Sequence, residues 1–289
     1  MPLVSLLVNR PRVLRVAFVA SLIALAPPSV ARAQLFETIG IRAQGMAGAF
    51  VAVADDATAT WWNPAGLATG AYFNGIVEHS RAQDPRDEGA VGVSLAYPAL
   101  GLSYYRLHLP SFVLSQFGAT VGQSLGDHLV VGSTVKLVRA DRTRGDLDLG
   151  AMATFGPARL AVAVRHIGAP EVNTDRNPME LERQVRVGAA YSSPMRGGAA
   201  VMMAIDADLT RTTTIEGDAR HLAGGLEMWF RQRVGVRGGM SMNTVRDARR
   251  AVSAGVSVAT RAGLFVDGRL TSGNDESKKG WGFALRVTF

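Results

Sequence analysis

The chain is short of reactive side chains. It has no cysteine, which removes disulfides, thiolate zinc sites and cysteine nucleophiles. Five histidines (His79, His108, His128, His166 and His221) are scattered with neither HExxH nor an i,i+4 pair, so no metal centre is expected. Gly45-Met46-Ala47-Gly48 lacks the surroundings of a phosphate loop, because neither GxGxxG nor Gly-Lys-Ser/Thr occurs. Close packing is the plainer use of those glycines, and no cofactor is expected. One arrangement has catalytic potential: Asp206 and Asp208 stand near His221. A carboxylate beside an imidazole at a rim can activate a water, and Asp146 and Asp148 could supply a second pair. Carboxylates at a rim are also ordinary solvated charges, and no catalytic residue is assigned.

The elements that carry these residues follow from composition and patterning. The chain has 289 residues, 47% hydrophobic, which excludes wholesale disorder. Its net charge of +7 suggests nucleic acid until the first 33 residues are set aside. Arg10, Arg12 and Arg15 form a basic region, 16–26 is apolar, and Pro27-Pro28 precedes Ala31-Arg32-Ala33, a small-x-small cleavage site. The apolar stretch is too short to span a bilayer as a helix. Cleavage removes four arginines and no acid, so the charge falls to +3 and the chain to 256 residues. No nucleic-acid partner is then expected. The chain is exported, and no later window has the uninterrupted apolar length of a transmembrane helix.

Period-two alternation fills the remainder. In 280–289 one parity reads Trp281, Phe283, Leu285, Val287, Phe289 and the other Gly280, Gly282, Ala284, Arg286, Thr288. A soluble sandwich would alternate in the same way. Loop lengths separate the two. Strands are expected near 71–79, 89–97, 99–107, 113–124, 128–140, 146–155, 159–168, 184–192, 198–208, 220–230, 233–242, 251–260, 263–271 and 280–289. Tight connections alternate with longer ones such as 80–88, 169–183, 209–219 and 243–250. An even strand count with short turns on one rim and long loops on the other describes an outer-membrane barrel. The expected fold is therefore all-β, a transmembrane antiparallel β-barrel of about fourteen strands surrounded by outer-membrane lipids. In this register Lys136, Arg165, Arg186, Arg237, Arg269 and Arg286 face the lumen, as do Asp146, Asp148, Asp206, Asp208, Glu227 and Asp267. Balanced signs suggest ion-pair bracing rather than a selectivity ring.

Residues 34–70 precede the first strand. They are too apolar for a solvated tail, and a barrel of this width leaves interior space that wall side chains cannot fill. An N-terminal lumenal plug is expected, ended by the turn dipeptide Asn63-Pro64. Asp55 and Asp56 are its candidate latch to lumenal arginines, although Asp-Asp could equally solvate a bend. Trp61-Trp62 could sit at the membrane interface or close the plug's apolar side. The expected divisions are 1–33 signal peptide, 34–70 plug and 71–289 barrel.

The stretch GMAGAFVAVADDATATWWNPAGL, 45–67, resembles the N-terminal signature shared by FadL-type fatty-acid transporters and PorV/PorQ-like proteins. The resemblance implies that 34–70 is a movable hatch, with Gly45, Gly48, Asp55, Asp56, Asn63 and Pro64 as gating candidates. It implies passage of small hydrophobic, fatty-acid-like molecules. In the PorV-like branch it implies instead a scaffold for secreted cargo proteins, which the short loops suit. Terminal Phe289 resembles the aromatic signal that barrels present to the assembly machinery. The rim pair of Asp208 and His221, similar to that of omptin-like proteases, is the third reading.

Overall fold

The structure, a computed structural model, describes residues 39–83, 89–108, 112–172, 179–214, 217–246 and 248–289. The expected signal peptide, 1–33, lies outside them, as do the first residues of the expected plug. No described helix is long and apolar enough to cross a membrane.

Fourteen strands close into an antiparallel barrel. They are β1 (Asn74–Ala82), β2 (Gly89–Tyr97), β3 (Leu100–His108), β4 (Val113–Ser124), β5 (Leu129–Arg139), β6 (Thr143–Phe155) and β7 (Ala158–Arg165), followed by β10 (Gln184–Ser192), β11 (Ala199–Asp208), β14 (His221–Phe230), β15 (Val234–Asn243), β16 (Arg250–Arg261), β17 (Leu264–Gly273) and β18 (Gly280–Thr288). The seam joins β1 to β18, with Asn74 opposite Thr288 and Ala82 opposite Gly280. Two loops carry hairpins that alternation did not reveal: β8 (Glu171–Val172) with β9 (Met179–Glu180), and β12 (Thr212–Thr214) with β13 (Gly217–Ala219). These strands are too short to display a period. The strand expected at 71–79 begins at Asn74, and the one at 159–168 stops at Arg165. The turn His166–Ala169 takes over there, with both of those residues at positive φ.

Why the ring closes is visible in its two faces. Outward residues are large, apolar and exposed: Leu270 is 62% exposed, Val135 60% and Leu160 56%. Such a surface is stable only against lipid, and closure leaves no unpaired strand edge there. Aromatic side chains gather at the short-turn rim, where Phe73 packs on Tyr97 at 5.1 Å and stacks on Phe289 at 5.9 Å. This is the aromatic girdle that sits at a membrane interface.

Residues 39–70 lie inside the barrel. Ile39, Ile41, Met46, Phe50 and Trp62 are each at most 1% exposed. The segment folds as α1 (Ile41–Gly45), α2 (Ala59–Trp62) and a 3-10 helix, Pro64–Thr69. Asn63 caps the last of these: its Oδ1 accepts from Ala65 N at 3.1 Å while Nδ2 donates to Val51 O at 2.9 Å. Proline at the first helical position fits, since that N–H has no partner inside the helix.

Candidate functional site

The candidate site is the contact between segment 39–70 and the inner wall. Its charged anchors are mainly wall carboxylates that accept from donors of the segment, and Asn74 Oδ1 adds an acceptor for Ala57 N at 2.9 Å while Tyr105 OH meets Thr60 Oγ1 at 2.9 Å. Glu78 on β1 accepts from Gly40 N at 2.8 Å and from Ile41 N at 3.1 Å. Asp206 on β11 accepts from Phe50 N at 2.7 Å and Val51 N at 2.8 Å. Glu227 on β14 receives the guanidinium of Arg42, with Nη2 donating to Oε2 at 2.6 Å. Each carboxylate supplies a strong acceptor to donors that have no access to water.

The expected latch works otherwise than its residue types suggested. Asp55 and Asp56 mainly hold Arg42 of their own segment, at 2.5 Å and 3.3 Å. Asp55 also approaches one wall arginine, Arg159, at 3.8 Å. Asp56 turns its other oxygen to the bend, accepting from Thr58 N at 2.9 Å. The two acids therefore aim Arg42, and Arg42 reaches the wall.

From Glu227 a chain of buried charges continues round the wall. Arg237 lies 3.4 Å from Glu227 and 3.6 Å from Asp267, bonding Ser257 between them, and Arg286 donates from Nε to Asp267 at 3.0 Å. Arg186 pairs with Asp208 at 2.6 Å. Arg165 lies over the Trp61 ring, 4.6 Å from its centroid, which with the burial of both tryptophans places Trp61-Trp62 inside rather than at the membrane interface. Arg269 donates to Thr271 at 3.0 Å.

Asp146, Asp148 and His166 form the one group of described residues whose donor atoms lie close enough to hold a metal ion. Lys136 already supplies a cation there. Its Nζ is 2.8 Å from Asp146, 2.6 Å from Asp148 and 3.2 Å from His166 Nδ1. The pair read as a water-activating dyad is brought together without the geometry it needs: Asp208 accepts from the backbone N of His221 at 3.0 Å, and the imidazole meets Lys278 at 2.7 Å.

The glycines mark close approach. A Cβ on Gly45 would fall 2.7 Å from Arg237 Cδ, and Gly48 has φ +83°, a left-handed conformation that favours glycine. Pro64 seats against Gly132 and Gly150, where an added Cβ would collide with Pro64 and with Asn63 respectively. Beside the segment at the long-loop rim lies a cavity of about 60 Å³, lined by Gln44, Gly48, Trp62, His221, Arg269 and Lys278 among others. That is room for a few waters.

Sequence reasoning missed Glu78 and Arg42. Both left a signal: Glu78 shares the inward parity of Asn74, Ile76 and Ser80, and Arg42 is a lone cation in an apolar stretch.

No protein-family model matches the chain, and no curated protein sequence matches it. Solved structures do. The CymD monoaromatic hydrocarbon channel matches with a TM-score of 0.65 at 11% identity, over 88% of this chain and 99% of that one. A Pseudomonas aeruginosa FadL homologue matches at 0.57 and 10% identity, over 89% and 99%. The Acinetobacter baumannii outer membrane protein Omp33 matches at 0.53 and 8% identity, over 76% and 98%. At such identities the likeness is one of fold, and the fold is that of an outer-membrane β-barrel.

Proposed function

We propose that this chain is an outer-membrane channel for small hydrophobic molecules, in the manner of FadL-type barrels, gated by residues 34–70 acting as a plug. The observation that carries the reading is the way segment 39–70 is held. An apolar insert fills the lumen, and its main polar attachments are three wall carboxylates, Glu78, Asp206 and Glu227. An apolar body held at separate polar points, rather than by strand pairing with the wall, suits a part that shifts, and the neighbouring cavity is about 60 Å³ as the segment stands. The fold neighbours support the reading, since two of them are a monoaromatic hydrocarbon channel and a FadL homologue. With it go cleavage of 1–33, residence in the outer membrane and recognition of Phe289 by the assembly machinery.

Uptake of radiolabelled toluene and oleate into cells lacking their own hydrophobic-compound channels tests it. Expression of this chain is expected to raise uptake of at least one of them, and Glu227→Gln is expected to alter the rate. Unchanged uptake of both, with a stoichiometric protein co-purifying from the native membrane, would replace the channel by a secretion scaffold.

A further inference from the structure

At the short-turn rim, between the turn joining β14 to β15 and the turn joining β16 to β17, the wall opens into a concavity of about 670 Å³. That size suits a small organic ligand. Its lining includes Trp229, Arg231, Arg233, Arg261, Phe265 and Arg286 and contains no carboxylate. Trp229 and Phe265 meet edge to face with centroids 5.6 Å apart. Arg286 lies over the pair, 4.4 Å from the Phe265 centroid. Its Nε and Nη2 are bound to Asp267, which leaves Nη1 for another acceptor. Arg231, Arg233 and Arg261 are exposed, and among the described residues no carboxylate lies within ion-pairing distance of them.

The turn itself adds a second observation. Arg231 and Gln232 have φ +47° and +56°, whereas Gly126, Gly156 and Gly263 take the left-handed positions of three other short turns. Side chains larger than glycine, asparagine or aspartate are disfavoured in this conformation. A guanidinium and an amide occupy positions where backbone geometry favours glycine, as Ala99 does in the β2–β3 turn, and both line the concavity.

Three exposed guanidiniums, each able to hold an oxyanion through two N–H donors, select an oxyanion, and Arg286, already paired with Asp267, adds at most its Nη1. Two aromatic rings select an apolar body attached to it. We propose that this concavity binds the carboxylate of a small aromatic or alkyl acid at the short-turn mouth of the barrel. The proposal rests on reading the chain as a hydrophobic-compound channel, and it makes the preferred passenger an apolar acid rather than a neutral hydrocarbon. Arg286 and the rings form the floor, and Arg231, Arg233 and Arg261 form a charged margin that a neutral molecule does not engage.

Fluorine NMR line broadening of 4-fluorobenzoate by the detergent-solubilised full-length protein tests the site, with 4-fluorobenzamide as the uncharged control for micelle partitioning. Saturable broadening of the acid alone is expected, weakened at least tenfold in Arg233→Gln/Arg261→Gln, whose exposed side chains carry no fold contacts. Trp229→Leu is expected to weaken 4-fluorobenzoate while sparing any competition by inorganic phosphate. Equal broadening by acid and amide, or acid binding untouched by the double arginine variant, overturns the proposal. So does phosphate competing as well as benzoate itself, since the rings would then contribute nothing. Toluene flux into proteoliposomes separates the two readings. Flux without 4-fluorobenzoate binding removes this inference and leaves the channel standing, whereas binding without flux of toluene or acid removes the channel and keeps the site.

Discussion

Asp206 and Glu227 are single side chains on which the lumenal segment depends, in different ways. Asp206 is an acceptor for two adjacent backbone N–H groups at Phe50 and Val51. Replacing it by alanine orphans both, at about 1–3 kcal/mol for each buried donor left unpaired. Asp206→Ala is therefore expected to lower the midpoint of thermal unfolding, followed by circular dichroism, by more than Asp206→Asn, which keeps an acceptor. Glu227 is instead one half of a buried ion pair with Arg42. Arg42→Met leaves Glu227 with Arg237 at 3.4 Å and takes the cation from Asp55 and Asp56 as well, and leaving a buried carboxylate without its partner costs about 3–5 kcal/mol. In a double-mutant cycle the Arg42→Met/Glu227→Met protein is expected to be more stable than Arg42→Met alone; additive losses would show that the two do not act as a pair. At this scale the sequence was half legible. Alternation placed Asp206, Glu227 and Arg237 on the inner face, because parity follows from the pleat. It could not say which partner each would meet, because that depends on how an irregular segment crosses the lumen. The residue types of Asp55 and Asp56 point to arginines of the wall, whereas their main partner is Arg42 of their own segment.

Among the elements, the inner wall is shaped to receive the segment as much as the segment is shaped to fill it. Strands β5 and β6 place Gly132 and Gly150 beneath the Asn63–Pro64 corner, and β14 and β15 place Gly225 and Gly239 beneath Met46. A Cβ on Gly225 would fall 2.7 Å from Met46 O, so the backbone there leaves no room for a side chain. Gly150→Val is expected to lift the 3-10 helix from its seat while the barrel still closes, since no turn and no outward packing changes. The measurement is conductance in planar bilayers: the variant is expected to pass more current than the parent, with unchanged heat-modifiable mobility on gels. Equal conductance would mean that the corner re-seats without opening a path. The strands themselves were legible almost end to end, because the pleat sends successive side chains to opposite faces and prints a two-residue period on the sequence. The hairpins β8–β9 and β12–β13 were not, since two or three residues carry no period.

For the whole molecule, the strand count and the division into short turns and long loops were readable because lipid on one side and a polar interior on the other impose alternation on every strand. Charge was a poorer guide. The net value says nothing of its sorting, yet arginines line the short-turn concavity while acids pair internally along the wall. With the lumen occupied by segment 39–70, the intact protein is expected to conduct small ions poorly in planar bilayers; a steady, open-porin level of current from the unmodified chain would contradict the gated reading. The seam joins β1, the first strand of the ring, to β18, the last. The enclosed segment comes before the first strand in the chain, and the ring cannot shut until the last strand arrives. Whatever is made earliest must therefore wait in an open cradle and be wrapped as the ring closes, or else thread a finished cylinder through one of its mouths. With bulky Trp61, Trp62 and Phe50 packed at the centre, threading would have to carry three large rings through a mouth of the barrel, whereas wrapping carries them through none.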